Sequence, residues 1–162
     1  MRGLKFAAIA SVSLLLVIAC LVGYLFLTAE VQVVDLKAQG TGITAEELKN
    51  IQESISEDTL TGTLYQEPLE WKEASEYIRL EYTIRLRNNC LVPIDMIEAQ
   101  IVPQSNDVFQ TADLDVHSLD MKSEGDLKAS ILTTKDTHPV REIIITYYVW
   151  GVSFSLKTMY GA

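Results

Sequence analysis

The most regular pattern in the chain is Glu76-Tyr77-Ile78-Arg79-Leu80-Glu81-Tyr82-Thr83-Ile84-Arg85-Leu86-Arg87. Apolar side chains recur at every second position from Ile78 to Leu86, and the positions between them are polar or charged. Successive side chains of a β-strand point to opposite faces, so this alternation is typical of a strand with one buried face. It predicts a central strand, and Asn88-Asn89 predicts the turn that follows it.

The segments around this strand favour further strands that are separated by turn residues. The predicted strands cover residues 31–36, 59–65, 94–102, 126–134 and 142–150, with a last strand from Val152 onward. Gln39-Gly40-Thr41-Gly42 is expected to break the first of them. The segment 142–150 is almost continuously apolar, which predicts a strand covered on both faces with Tyr147, Tyr148 and Trp150 inside. No strand is assigned to the polar, acidic segment 104–126.

One short helix is predicted over residues 45–57. Thr44 and Glu47 have the spacing of a capping box, in which each side chain bonds the backbone of the other residue. Leu48, Ile51 and Ile55 then recur at intervals of three and four, which places them on one helical face.

The sum of these elements is an all-β domain of about seven strands with one short helix. Many short strands between turn signals are typical of a β-sandwich made of two sheets. The 134 residues from position 29 onward are enough to bury a core without disulfides or metal.

A family resemblance supports the same fold. The stretch Ile84-Arg85-Leu86-Arg87-Asn88-Asn89-Cys90-Leu91-Val92-Pro93-Ile94-Asp95-Met96-Ile97 resembles the water-stress and hypersensitive-response domain of the group-two late-embryogenesis-abundant proteins. The stretch 125–131 is similar to a later strand opening of that domain. Asn88-Asn89 stands where the family has Asn-Pro, and the helix near residue 50 is not part of its pattern. The resemblance implies an immunoglobulin-like or fibronectin-type-III-like sandwich behind one membrane helix, without catalysis.

The N-terminal segment predicts a membrane anchor. Residues 6–27 contain no charged side chain, and as a helix they span roughly 33 Å, enough to cross a hydrocarbon core of about 30 Å. Arg2 and Lys5 precede the run, and Glu30 and Asp35 follow it. Positive flanks stay in the cytoplasm, which predicts residues 1–5 inside, a single pass over 6–27 and an extracytoplasmic domain over 30–162 of a cell-membrane protein.

Three fates remain open for this anchor segment. An uncleaved signal anchor accounts for all 22 residues. Val17-Ile18-Ala19-Cys20 resembles the lipobox of bacterial lipoproteins, in which the Cys is lipidated, but an apolar stretch follows Cys20 where a polar tether is usual. A cleaved signal peptide would have a shorter apolar stretch than this one. All three fates place residues 30–162 across the membrane.

Charge and cysteine content exclude several classes of partner and fold. The chain has 13 basic and 22 acidic residues, and every acidic residue lies at or beyond Glu30. From position 29 onward there are 11 basic and 22 acidic residues, a net charge of −11, which argues against nucleic acid or an anionic lipid surface as the domain's partner. With Cys20 in the apolar run, only Cys90 lies beyond it, so a disulfide-stapled fold is excluded.

No sequence motif predicts catalysis, a cofactor or a metal centre. His117 and His138 are the only histidines and lack zinc-site spacing. Asp113-Leu114-Asp115 begins like a calcium loop, but His117 stands where the third oxygen ligand belongs. Asp113 and Asp115 are therefore kept as candidate binding residues in an acidic loop. Trp71 lies in a polar segment and is either an exposed anchor for a sugar or partner, or a residue that closes the end of the sandwich.

Two functional hypotheses follow from these observations. The first is a non-catalytic, membrane-anchored domain that binds an unidentified protein or envelope partner or has a structural role, extending to protection of the envelope under water stress. The second is an envelope glycan-binding module or hydrolase that uses Trp71 together with carboxylates of the 107–126 region. The second hypothesis requires that Trp71 and those carboxylates share one concave site.

Overall fold

The computed structural model describes residues 2–28 and 30–161 as mostly β, with one long N-terminal helix. Residue 1 of the predicted segment 1–5, residue 162 of the predicted domain 30–162, and residue 29 between segments lie outside the described residues. The helices are α1 and α2, a single 3₁₀ turn covers Ala74–Glu76, and the strands are β1 to β9. The bounds are α1 Arg2–Leu27, β1 Val31–Gly42, α2 Ala45–Ser56, β2 Gly62–Leu64, β3 Tyr77–Asn88, β4 Ile94–Ile101, β5 Asp107–Thr111, β6 His117–Leu119, β7 Glu124–Thr134, β8 Arg141–Val149 and β9 Val152–Tyr160.

The alternating strand predicted over 76–87 is β3, and its predicted faces are confirmed. Leu80, Tyr82, Ile84 and Leu86 are at most 5% exposed. β3 pairs antiparallel with β1 on one side and β7 on the other. It is therefore an inner strand of its sheet, and one of its faces lies on the core.

Two antiparallel sheets pack around this core. The first sheet has the strand order β1-β3-β7-β5-β2, and the second has the order β6-β4-β8-β9. The main apolar cluster takes residues from both sheets, among them Ile84 of β3, Ile131 of β7, Ile101 of β4 and Ile145 of β8, all fully buried. The predicted inner residues Leu127, Ala129, Ile97 and Ala99 are buried as well. The described residues thus form a β-sandwich-like fold.

A second apolar cluster lies under α2, on the outer face of the first sheet near the start of β3. The predicted helix begins at Ala45 and ends at Ser56, and both bonds of the capping box are present: Glu47 N donates to Thr44 Oγ1 at 3.1 Å, and Thr44 N donates to Glu47 Oε2 at 2.8 Å. Leu48 and Ile51 of α2 are buried against Tyr77 and Phe109. The helix therefore covers part of the outer face of the first sheet, near the start of β3.

The segment 104–126 contains two strands, β5 and β6, which the sequence analysis did not assign. Val108 and Phe109 are both buried, although neighbours in a regular strand face opposite ways. A register shift between Asp107 and Phe109 allows this, and it hides the period of two. With these two strands the described residues contain nine strands rather than about seven.

The predicted break at residues 39–42 is wrong. β1 continues through these residues, pairing Gly40 with Leu80 and Gly42 with Ile78. A Cβ at Gly40 would come within 2.6 Å of the Ile78 Cδ1 atom, so Gly40 leaves room for that side chain instead of ending the strand.

The apolar segment 142–150 forms β8, but its two faces differ. Ile143, Ile145 and Tyr147 are buried, whereas Tyr148 on the other face is half-buried. The prediction that Trp150 packs inside is wrong, because its side chain is 53% exposed. Trp150 lies beyond the strand end, in the tight turn with Gly151 that leads into β9.

A buried ion pair links β5 to β8 inside the sandwich. The Asp107 and Arg141 side chains are fully buried, and Arg141 donates from Nε and Nη2 to the Asp107 carboxylate at 3.0 and 2.7 Å. Arg141 Nη1 also donates to the carbonyls of His138 and Val140, and Gln104 N donates to Asp107. Such a pair is well compensated only while both partners are present.

Helix α1 is long and apolar enough to cross a membrane over the 19 residues Ile9–Leu27. Its last turn contacts the sandwich. The Phe26 ring lies 5.6 Å from the Trp150 ring and 6.3 Å from the Phe154 ring, measured between centroids. Since α1 ends at Leu27 and β1 begins at Val31, the β domain follows the apolar helix almost directly.

The first prediction tests the faces of β3. Replacing Ile84 with Ala should lower the free energy of unfolding by about 2–5 kcal/mol, because a fully buried side chain is lost from both sheets' shared core. Thr83→Ala, on the opposite face, is the matched control and should cost at most about 1 kcal/mol. Urea unfolding of the full chain in detergent, followed by far-UV circular dichroism, measures both. Equal losses at the two positions would contradict the assigned faces.

The second prediction tests the buried ion pair. Arg141→Met should lower the free energy of unfolding by about 3–5 kcal/mol, because it leaves the Asp107 carboxylate buried without its partner. The double variant Asp107→Leu/Arg141→Met should be more stable than the single one, since it removes both charges. Arg85→Met is the control, because its pair with Asp126 is solvent-exposed. A double variant less stable than Arg141→Met in the same unfolding experiment would refute this account.

Candidate functional site

An open, charged cleft lies on the outer face of the first sheet. It has a volume of about 370 Å³, and the loop between β5 and β6 forms one wall of it. The loop contributes Asp113 and Asp115, and β6 contributes His117. The floor comes from β3 and β7, through Glu81, Asp126 and Lys128. Both acidic residues singled out from the sequence therefore lie in one cleft.

The loop holds its own shape through the Asp113 carboxylate. Asp113 Oδ1 accepts a hydrogen bond from Asp115 N at 3.1 Å, as in an Asx turn. Asp113 Oδ2 lies 2.6 Å from His117 Nε2, and both side chains are about two-thirds buried. His117 is itself fixed by the pairing of β6 with Ile97 of β4. Asp113 thus connects the loop to the second sheet.

The floor of the cleft is a row of ion pairs between β3 and β7. Arg85 donates to both carboxylate oxygens of Asp126, at 2.8 and 2.9 Å, and Lys128 Nζ lies 3.1 Å from Glu81. These hydrogen bonds from Arg85 hold the pKa of the Asp126 carboxyl below its usual value. Each carboxylate on the floor therefore has a basic partner across the strand pair.

This arrangement is suited to polar contacts rather than to a metal ion. Within residues 2–28 and 30–161, no group of three or more His, Cys, Asp or Glu side chains lies close enough to hold one. Asp113 and Asp126 are already engaged by His117 and Arg85. The cleft offers mixed charge and exposed edges, which can hydrogen-bond a polar segment of another molecule.

Trp71 lies elsewhere, against the second apolar cluster. Its ring centroid is 6.0 Å from that of Tyr77, and its side chain is half-buried. The neighbouring Lys72 N donates to the Tyr77 hydroxyl at 3.3 Å. Trp71 is not among the residues that line the acidic cleft. The structure thus does not bring Trp71 together with Asp113 and Asp115.

Cys90 is a buried, free thiol at the opposite end of β3 from Trp71. Its Sγ lies 3.7 Å from the Glu30 carbonyl, and burial raises the pKa of the thiol. Raising the pKa reduces the thiolate fraction, and the thiolate is the nucleophilic form. This environment is typical of a structural cysteine.

The exposure of Trp150 was not predicted from the sequence. Trp150 is the last residue of the apolar run 142–150, and the whole run was assigned to a core strand. The signal that separates it from β8 is Gly151, which permits the tight turn, and the resulting exposed aromatic side chain lies beside the end of α1.

Comparison with known proteins was made by family and by sequence. No protein-family model matches the chain, and no curated protein matches it.

Proposed function

We propose that this chain is a non-catalytic, membrane-anchored protein whose β domain lies on the extracytoplasmic side and binds a partner or has a structural role. The observation that carries the proposal is the junction between α1 and the sandwich. Phe26, in the last turn of the apolar helix, packs against Trp150 and Phe154. A domain that rests on the end of its own anchor is held at a defined distance from the membrane.

The fold that we propose in detail is an immunoglobulin-like or fibronectin-type-III-like sandwich. Support comes from two antiparallel sheets that share one core and from the chain's crossing between them after Asn88. That crossing lies within the stretch that resembles the water-stress and hypersensitive-response domain. The same resemblance favours a non-enzymatic role in protecting the envelope.

The charge distribution supports both the orientation and the role. Arg2 and Lys5 precede the uncharged run 6–27, and acidic residues occur only from Glu30 onward, which favours an N-terminus in the cytoplasm. The acidic excess of the domain keeps its surface hydrated and soluble. The cleft around Asp113 is the surface that we propose for a polar or basic partner.

The alternative is a glycan-binding module or hydrolase that uses Trp71 and loop carboxylates. An exposed Trp face beside free carboxylates would favour it. The contacts of Trp71 with Tyr77 and of Asp113 with His117 favour the leading proposal instead.

The third prediction tests the topology. Asp136→Cys, in the exposed turn before β8, should react with a membrane-impermeant maleimide on intact cells. Lys5→Cys, before the apolar run, should react only after the cells are lysed. The wild type is the background control for the two natural thiols, Cys20 within the apolar helix and the buried Cys90. Labelling of Lys5→Cys but not of Asp136→Cys on intact cells would reverse the proposed orientation.

The fourth prediction separates the two functions. Trp71→Ala should cost about 2 kcal/mol of folding stability, less than a fully buried Trp, because its ring covers the second cluster only in part. Its co-sedimentation with chitin and with peptidoglycan should equal that of the wild type. Asp113→Asn is the companion variant at the cleft. Glycan binding by the wild type that either variant abolishes, with folding unchanged, would favour the alternative.

A further inference from the structure

Three turns gather around the point at which the chain leaves α1, and we call this region the anchor end of the sandwich. The turns cover residues 89–93, 120–123 and 150–151. Asn89 N donates to the Glu30 carbonyl at 3.0 Å, and Lys122 Nζ donates to the Asn89 carbonyl. Asn88 N donates to the Ser123 carbonyl at 2.9 Å. These bonds hold the first two turns beside the exit of the helix, and the Phe26–Trp150 contact holds the third.

Each of these turns presents an apolar side chain to the outside. Leu91 is 49% exposed, Met121 58%, Trp150 53% and the adjoining Val152 47%. At the other end of the sandwich, the tips of two turns are polar: residues 104–106 are Gln, Ser and Asn, and residues 135–138 are Lys, Asp, Thr and His. That end also exposes Leu69 fully and Val140 in part. The anchor end is set apart because each of its three turns carries a large apolar side chain that is about half exposed.

The backbone conformation of Trp150 is one that a Trp side chain disfavours, so the requirements of the turn do not explain why a Trp occurs there. Trp150 has φ 49° and Gly151 has φ 78°. Two successive residues with positive φ form the type of hairpin turn that favours Asn-Gly. A bulky side chain is disfavoured in this left-handed conformation, and such outliers cluster at functional positions. Because Trp150 is half-exposed, core packing alone does not account for its presence there.

The contact with Phe26 fixes the depth of Trp150 relative to the anchor. The two ring centroids are 5.6 Å apart with planes at 78°, and Phe26 is one residue from the end of the apolar span Ile9–Leu27. If that span fills the hydrocarbon core, Trp150 lies at the level where the hydrocarbon meets the headgroups. Trp is enriched at this level because its ring is apolar and its N–H is polar.

We propose that the anchor end is a membrane-docking surface, with Leu91, Met121, Trp150 and Val152 inserted into the interface of the bilayer that α1 enters. The proposal rests on the anchoring role proposed above. The occupant is lipid rather than another protein because the apolar tips are continuous with the apolar helix. Lys122, next to Met121, adds a basic side chain that suits the phosphate level.

Docking in this way would fix the orientation of the domain. The strands β1 and β3 pair along their length, with Val31 opposite Asn88 at the anchor end and Gly42 opposite Ile78 at the other. The sandwich would stand on the bilayer, with α2 and Trp71 at the far end. β3 alone spans roughly 36 Å between its terminal residues, which separates Trp71 from the membrane by a similar distance.

The two tryptophans of the chain supply the test and its control. Trp71→Phe leaves Trp150 as the only Trp, and Trp150→Phe leaves Trp71. The full chain is reconstituted into phosphatidylcholine vesicles whose acyl chains carry bromine near the headgroup end, and its Trp emission is compared with that in unbrominated vesicles. We expect bromine to reduce Trp150 emission roughly two-fold, as for an interfacial Trp, and to leave Trp71 emission unchanged.

The outcomes separate this proposal from the anchoring role. Vesicle flotation is measured first, and a chain that does not float with the vesicles would overturn the anchoring and the docking together. A chain that floats, with Trp150 emission unaffected by bromine, would overturn the docking alone. Equal quenching of Trp71 and Trp150 would also overturn it, because the domain would then lie on its side.

A second comparison protects the test against a folding defect. Trp71 covers part of the second cluster, so Trp71→Phe is checked by circular dichroism before use. If it fails to fold, the difference in quenching between the wild type and Trp150→Phe reports the same quantity. Leu91→Ser/Met121→Ser, made in the wild type, should weaken the quenching of Trp150, and quenching unchanged by it would exclude these two turns from the docking surface.

Discussion

The buried side chain of Asn88 holds the anchor end of the sandwich together. Its Oδ1 accepts from Cys90 N at 2.8 Å, and its Nδ2 lies within 3.2 Å of three carbonyl oxygens, those of Val92, Leu119 and Asp120. The side chain is fully buried, so each of these bonds replaces water that cannot reach it. These bonds join the end of β3 to the turns 89–93 and 120–123. They therefore connect the first sheet to the second at the end of the sandwich where the chain enters from α1.

The far end of the sandwich is organised by a different interaction. There Arg141 and Asp107 form a buried ion pair, and α2 covers Tyr77. The charges are compensated internally, so the turns above them can be polar without disturbing the core. One end thus combines a buried neutral amide with apolar turn tips, and the other combines a buried charge pair with polar tips in the turns 104–106 and 135–138. This difference gives the domain a direction along the axis of its strands, and the apolar helix joins it at the apolar end.

The elements that were predicted correctly depend on neighbours in sequence. The alternation in β3 and the Thr44–Glu47 capping box are local patterns, and both are present as predicted. β5 was missed because its register shift hides the period of two, and because the burial of Asp107 depends on Arg141, 34 residues away, which no local pattern reveals. Trp150 was assigned to the core because hydrophobicity does not show where a strand ends. The cleft was anticipated as an acidic loop at Asp113 and Asp115, but the basic partners on β3 and β7 become neighbours only in the folded sheet.

The short connection between α1 and β1 lowers the number of exposed apolar side chains that are needed to orient the domain on a membrane. Residues 28–30 separate the two elements, and three residues span at most about 10 Å, so under the proposed anchoring the sandwich would stay close to the bilayer. A free domain would need enough apolar surface to offset the loss of its translational freedom on binding lipid. A tethered domain has already lost that freedom, so a few side chains such as Trp150 and Leu91 suffice to select one orientation. The apolar helix and the apolar tips therefore favour the same upright arrangement, with the cleft around Asp113 on a side that stays open to solvent.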